Sequence, residues 1–417
     1  MRVLHVTPLY WPSLGGAEQV VQALSERMAR DRHEVTVVTS DAASVESFWS
    51  GRGPRLHERD AVIDGVQVIR APVRPFPLGQ FGAFVARGLA IRLFDPLRLK
   101  RLVRAIGGWM PSIPQFRQTL RRLPGAFDLV HAFNLSWESC LVDAFDFACA
   151  RGVPFLATPF LHTGEPGRAR VSRNFTMSHQ VAALLGSDRV IVQTPTEAQA
   201  VEALGVNRAR IVEVGVGIDP ARVLGGDAER FRSRYNLRGP IVAFIGRATR
   251  DKGATALVRA LRQVWASGVE AECVIAGLVL PDFRRFLRTQ PPNSRLRLLG
   301  PIGDDDKRDL LAAADIVAMP SRAESFGIVY LEAWAYGTPV IGARAGGAAD
   351  VIADGEDGYL IPFDDADALA TRIRELLVHP ARAQQMGEAG HRKLQARYAW
   401  DVIYRSMLAV YHEAARI

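Results

Sequence analysis

The sequence lacks most of what would mark a membrane-spanning, secreted or metal-bound chain. It has no uninterrupted apolar run of about 18 residues, so no membrane-spanning helix is expected. The start, Met-Arg-Val-Leu-His-Val-Thr-Pro, has no apolar stretch leading to a small-residue cleavage site, and the expected location is the cytoplasm. Cysteine is scarce: Cys140, Cys149 and Cys273 are odd in number and lie in apolar contexts without metal-ligand spacing, so they read as buried, inert thiols. Neither zinc-finger spacing nor an RNA-binding aromatic signature is present, which sets nucleic acid aside as a partner. No G-x-G-x-x-G turn follows the first strand, and that argues against a nicotinamide enzyme.

What is present is an ordinary globular composition over 417 residues, 48% hydrophobic and 23% charged, a length that two domains serve better than one core. The formal net charge of +8 favours anionic partners such as nucleotide phosphates or lipid head groups. Short β-branched runs alternate with helical patterns throughout, which gives an α/β fold of parallel sheets covered by helices. The strands read Arg2 to Thr7, Glu34 to Thr39, Val66 to Ala71, Leu129 to Ala132, Phe155 to Thr158 and Arg189 to Gln193 in the first half. Those of the second half read Ile241 to Ile245, Ala271 to Ala276, Leu296 to Leu299, Ile316 to Met319, Pro339 to Ile341 and Gly358 to Ile361. Such spacing suits two doubly wound units with a boundary near residue 220, where "VEVGVGID" supplies glycines for a turn. The last stretch, Trp400 to Ile417, reads as a helix needing a partner surface.

Residues 80–125 carry no strand signal. Within them "PLRLKRLVRAIGGWM" places Leu99, Leu102, Val103, Ile106, Trp109 and Met110 on one helical face and Arg98, Lys100, Arg101 and Arg104 largely on the other. A basic amphipathic helix suits an anionic membrane surface, closure over an anionic substrate, or plain packing on its own domain with a solvated basic face.

Each half has a glycine-marked turn between strand and helix. In "PLYWPSLGGAEQVVQALSERM", Gly15 and Gly16 precede a helix starting near Ala17, either as a simple turn or as a place where backbone N–H groups face an anion. In "VAFIGRATRDKGATALVRAL", Arg247 and Lys252 stand around the exit of a parallel strand, where guanidinium and ammonium suit a diphosphate unless both are surface residues. The third feature is "DIVAMPSRAESFGIVYLEAWAYGTPVI", read as strand, loop, a helix from Phe326 to Tyr336, Gly337 as its stop, then strand. Ser321 and Glu324 match S-x-x-E, so Glu324 is open to a capping-box reading. Helical geometry would place Glu332 about 12 Å from Glu324, turned by about 80°, one carboxylate at each end of a bound diphosphate. Carboxylates accept hydrogen bonds from vicinal hydroxyls, so a nucleotide-sugar fits, hexose at one end and ribose at the other.

The combination "FIGRATRDKG", "PSRAESFGIVYLEAWAYGTPVIGARAGGAADVIADGEDGYLIP" and "HVTPLYWPSLGGAEQVVQALSERM" resembles the retaining glycosyltransferases of family 4 over almost the whole chain. The resemblance implies the GT-B fold: two facing Rossmann-like domains, an acceptor-binding one over 1–220 and a nucleotide-sugar-binding one over 221–398, with the helix 399–417 crossing back to the first. It implies that Glu324 contacts hydroxyls of the transferred sugar and Glu332 the ribose. Backbone amides of Ser325, Phe326, Gly327, Ile328, Val329 and Tyr330 would meet sugar and phosphates. Arg247 and Lys252 match the diphosphate-binding cations and Gly16 the glycine near the phosphate. His162, in "TPFLHTGEP", matches the histidine near the reacting sugar, ahead of His131 in "DLVHAF". The sequence departs from the family at "VGVG", where a proline is usual, and at "AGLVLPDF", which lacks a glycine-acid-glycine turn.

From this follows an expected enzyme: a metal-independent, retaining hexosyltransferase without cofactor, using a UDP- or GDP-sugar and a hydroxyl acceptor. The leaving diphosphate's charge would fall to Arg247, Lys252 and the helix terminus. The run Asp304-Asp305-Asp306 reads as the start of a helix in preference to a metal site. A lipid-linked or cell-envelope saccharide is the expected acceptor, with the protein peripheral at the inner face of the membrane. A soluble polyol or phosphorylated acceptor is the rival, and an epimerase or a nucleotide-sugar sensor could share the architecture.

Overall fold

A computed structural model describes residues 1–13, 15–49, 53–76, 78–164, 175–322 and 324–415. The chain divides into two compact units, Met1–Leu161 with Ala169–Val214 and Tyr404–Ile417, and His162–Arg168 with Gly215–Ile403. The first crossing falls between Val214 and Gly215, close to the boundary expected near residue 220. The division departs from the sequence boundaries in two places: the return to the first unit falls between Ile403 and Tyr404, not at residue 399, and His162 to Gly164, inside the stretch assigned to the first domain, belong with the second unit.

Among the described residues the first unit holds one sheet of strands β1 (Arg2–Val6), β2 (Glu34–Ser40), β3 (Asp60–Ile63), β4 (Val66–Ala71), β5 (Leu129–Phe133), β6 (Phe155–Thr158), β7 (Arg189–Val192) and β8 (Ile211–Glu213). Their order is β3-β4-β2-β1-β5-β6-β7-β8, parallel except for β3, which runs antiparallel to β4. Val3, Leu4 and Val6 of β1 are fully buried, as a central strand covered by helices on both faces requires. Strands β3 and β8 are absent from the sequence reading. β3 is a short edge strand turned into β4 by Asp64 and Gly65, both at positive φ (50° and 81°), the Asp-Gly signature of a two-residue hairpin.

The second unit holds β9 (Ile241–Ile245), β10 (Glu272–Ala276), β11 (Leu296–Gly300), β12 (Ile316–Met319), β13 (Val340–Ala343) and β14 (Gly358–Ile361), in the order β11-β10-β9-β12-β13-β14 with every pair parallel. Counted from its own first strand this is 3-2-1-4-5-6, the doubly wound order whose ligand crevice opens where β9 and β12 diverge.

The C-terminal helix Trp400–Ala415 supplies the first unit with a buried polar centre. The Tyr411 hydroxyl lies 3.0 Å from His5 Nε2 and 2.5 Å from His131 Nδ1. His5 Nδ1 is 2.7 Å from the Ser25 hydroxyl, which itself donates to the Val21 carbonyl. Ser25 therefore accepts from His5, Tyr411 donates to His5 and accepts from His131, and Thr158 donates to His131 Nε2 at 2.8 Å. Burial holds His5 down to about 3 and His131 well below the usual histidine range, so both rings are neutral. His131 thus serves the fold and not the candidate site.

The cysteines divide: Cys140 and Cys273 are buried, whereas Cys149 is exposed near the end of the helix Glu138–Arg151, contrary to the uniform burial expected.

Candidate functional site

The loops leaving β9 and β12 lie at the switch point of the second unit. The β9 loop ends in a short turn, Arg250–Lys252, followed by Gly253 at φ +86°. A Cβ on Gly253 would come within 2.4 Å of the Pro320 carbonyl, so glycine lets the β9 loop lie directly against the β12 loop. That contact brings Lys252 Nζ to 2.7 Å from Glu324 Oε2. Asp282 accepts hydrogen bonds from the Thr249 hydroxyl (2.7 Å) and the Arg250 amide (2.9 Å), and Asp364 pairs with Arg250 at 2.8 Å. Arg250 is thereby engaged outside the crevice, and Arg247 stays exposed.

The helix after β12 runs Ile328–Ala335, two residues later than the sequence suggests, because Gly327 takes the left-handed conformation at φ +95°. Glu324 therefore sits in the loop and not on the helix, and the separation of about 12 Å expected from helical rise does not apply. The capping box does not form either: the Ser321 hydroxyl points to the Asp251 carbonyl at 3.4 Å, and Gly327 caps the helix without a side-chain bond. Tyr330, fully buried, donates to the Met319 carbonyl at 2.6 Å and fastens the helix to the end of β12. The amides of the first helical turn, Ile328 and Val329 among them, lie outside the intrahelical ladder and can bind an anion. Ser325, Ile328 and Val329 are half-buried, Gly327 is buried, and Phe326 is buried against the Tyr398 ring, 5.3 Å between centroids.

Two further glycines lie against the Glu324 backbone, one bonded to it and one in close approach. The Gly347 amide donates to the Glu324 carbonyl at 2.8 Å, and the Gly346 amide to the Gly164 carbonyl at 2.9 Å. A Cβ on Gly346, which sits at φ +56°, would approach the Glu324 carbonyl oxygen to 2.3 Å. The sequence reading quotes this diglycine without giving it a role; a glycine pair a few residues after a strand was the available signal.

Glu332, on the second turn of the helix and almost fully buried, pairs with Lys307 Nζ at 2.6 Å. Lys307 is also new. It follows the acidic run Asp304 to Asp306, which opens the helix Asp304–Ala313, with Asp305 paired to Arg308 and Asp306 to Arg234. The five charged residues Arg247, Lys252, Lys307, Glu324 and Glu332 leave a surplus of one positive charge, suited to a diphosphate.

His162 belongs to the same unit as these loops, two residues before Gly164. Its Nδ1 is shielded from solvent, and its pKa is lowered to about 4, chiefly by burial, with Lys252 and Arg247 adding to the shift and Glu324 opposing it. The ring is therefore neutral at neutral pH and acts through hydrogen bonding, not charge. Gly16, the remaining sequence candidate, lies in the first unit. It opens the helix Gly16–Arg30 at the exit of β1, the strand on either side of which that sheet's order reverses.

Comparison with known proteins identifies the family. Residues 15–217 match the family model "Glycosyl transferase 4-like domain", and residues 226–393 match "Glycosyl transferases group 1". Two D-inositol 3-phosphate glycosyltransferases of Catenulispora acidiphila are similar. One is 29% identical over 96% of this chain and 91% of its own; the other is 33% identical over 69% and 71%. The glycogen synthase of Mycobacterium tuberculosis is 29% identical, over 100% of this chain and 95% of its own. Among solved structures, Anabaena Alr3699/HepE in complex with UDP-glucose has a TM-score of 0.71 at 19% identity, covering 99% of this chain and 100% of that one. With GT-B enzymes as its structural neighbours and both family models spanning its two units, the chain belongs to the glycosyltransferases of family 4.

Proposed function

We propose that the protein transfers a hexose from a UDP- or GDP-sugar to a hydroxyl group, with retention of anomeric configuration and with side-chain cations in place of a divalent metal. One observation carries the reading: at the switch point each of the two carboxylates is held by its own ammonium group, Glu324 by Lys252 and Glu332 by Lys307. Glu324 accepts hydrogen bonds from the hexose hydroxyls and Glu332 from the ribose diol. Lys252, Arg247 and the amides from Ser325 to Val329 face the diphosphate, while the Tyr330 amide donates to the Gly327 carbonyl.

In the reaction the bond between the anomeric carbon and the phosphate oxygen breaks, and its electron pair leaves with the diphosphate. The acceptor oxygen bonds to the anomeric carbon on the same face, and its proton passes to the departing phosphate oxygen. Lys252, Arg247 and the helix amides stabilise the charge that develops there. Neutral His162 supplies a hydrogen-bonding group beside the sugar without adding a positive charge next to the forming oxocarbenium character.

The proposed acceptor is a lipid-linked or cell-envelope saccharide reached at the membrane face. The names of the inositol phosphate relatives favour a soluble phosphorylated polyol as the second reading. A thermal-shift panel of UDP-, GDP-, ADP- and TDP-sugars identifies the donor, since a ligand bound by the native state raises its apparent stability. With that donor, Glu332→Ala is expected to weaken binding about 10- to 100-fold, and Glu324→Ala to lower turnover more than binding. Parent-like behaviour of both variants, or isomerised donor as the product, would overturn the proposal.

A further inference from the structure

The helical segment between β4 and β5 presents an unusual surface. In the helix Gly79–Leu89 the inward face is small or charged: Ala83 is buried, and Arg87 turns in to pair with the buried Glu138 at 2.9 Å. The outward face carries the large apolar side chains Phe81 (73% exposed), Phe84 (64%), Val85 and Leu89, preceded by Leu78 at 84%. At 100° per residue these helix positions fall within about 140° of one another, opposite Ala83 and Arg87. The amphipathicity is thus inverted, with the apolar face towards solvent. Residues 78–109 contain ten of the eighteen exposed large apolar side chains among the described residues, a concentration that marks a docking surface.

The neighbouring helix Lys100–Gly107 follows one of the three readings its sequence left open, packing on its own domain with a solvated basic face. Val103 and Met110 are buried and Ile106 is half-buried. Val103 and Ile106 pack with Ala90, Met177 and Phe94, so that face serves the unit's own core. Leu102 and Trp109 remain outside, at the border of a basic face.

Charge selects the occupant. Residues 78–110 hold six cations, Arg87, Arg92, Arg98, Lys100, Arg101 and Arg104, against the single anion Asp95, which accepts from the Ser178 amide. Arg87 and Arg104 pair with Glu138 and Asp146. Arg92, Arg98, Lys100 and Arg101 are exposed and form no ion pair among the described residues. A second copy of this chain across a two-fold axis would set cations against cations. An anionic bilayer answers both halves of the surface, taking the aromatic and aliphatic side chains into the acyl boundary and the cations against lipid phosphates.

We propose that residues 78–109 form a monotopic docking surface for an anionic membrane, with Phe81 and Phe84 as its apolar anchors and Arg98, Lys100 and Arg101 as its phosphate contacts. This deepens the acceptor half of the function proposed above and is independent of the donor half.

Flotation with vesicles of phosphatidylcholine alone, or with about one-third phosphatidylglycerol, tests it. The parent should float with the anionic vesicles and stay behind with the neutral ones. Phe81→Asp with Phe84→Asp should lower partitioning at least about tenfold. Arg98→Gln with Lys100→Gln and Arg101→Gln should lower it about a hundredfold at low salt. The thermal shift given by the donor should be the same in parent and variants, which separates failure of this proposal from failure of the donor reading. A parent that ignores anionic vesicles, variants that bind like the parent, or a dimer dispersed by the Phe81/Phe84 change without vesicle binding would overturn it.

Discussion

Gly346→Ala should damage catalysis as well as folding, where a matched control damages folding alone. At φ +56° an alanine costs about 1–2 kcal/mol relative to its preferred region. Its Cβ would stand 2.3 Å from the Glu324 carbonyl oxygen, whereas carbon and oxygen meet at about 3.3 Å or more. The Glu324 backbone must then move by about 1 Å, and a misplacement of that size at a reacting centre costs about a hundredfold in rate. Gly355→Ala is the matched control: φ is +83°, and the added Cβ meets nothing within 4 Å. Both variants should lose about 1–3 kcal/mol of stability in urea titrations. In a nucleoside diphosphate release assay at saturating donor, only Gly346→Ala should lose about two orders of magnitude in kcat. Equal turnover in the two variants would refute the view that Gly346 holds Glu324 in place.

Two further predictions concern the first unit. Tyr411→Phe deprives His5 Nε2 of a donor and His131 Nδ1 of an acceptor, both fully buried, and should cost about 2–5 kcal/mol. Tyr404→Phe, which removes a hydroxyl donating to Asp31 at 2.6 Å, should cost about 1 kcal/mol; similar urea midpoints for the two variants would contradict the buried relay. Glu197 accepts the Leu161 and Gln193 amides at 2.6 and 2.7 Å, yet burial outweighs them and raises its carboxyl from 4.5 to about 7. Stability due to its proton is complete below 4.5 and is lost as pH rises through 7. Glu197→Gln should therefore gain about 2 kcal/mol relative to the parent between pH 5.5 and 7.5, and a pH-independent difference in urea midpoints would refute the shift.

Strands were legible where β-branched and other apolar residues cluster over five or six positions, as in β1, β4 and β9. β8, at three residues, is too short for such a pattern. β3 was missed although Asp64-Gly65 announced the hairpin, because its alternation covers only four residues. The groups at the candidate site were legible as residue types following a strand, Arg247 and Lys252 in one loop and Glu324 in another. Lys307 was not, since its acidic neighbours drew attention to a helix start and nothing local indicates that its ammonium reaches a glutamate 25 residues on. The segment after β4 shows the opposite limit: periodicity detects an apolar face but not its direction, so packing and exposure stayed open for Val103 and Phe81 did not stand out.

The sequence by itself determined the kinds of element, the two doubly wound halves and the chemical groups at each strand exit, because these follow from side-chain periodicity and backbone preferences within a few residues. Only the tertiary structure decided which groups meet. The 3-2-1-4-5-6 strand order sets the β9 and β12 loops side by side, and the close backbone approaches at Gly253 and Gly346 decide that Lys252 reaches Glu324 across 72 residues of chain. Left-handed Gly327 decides that Glu324 lies off the helix that carries Glu332. Such pairings depend on how strands order and loops pack, and no local pattern encodes either.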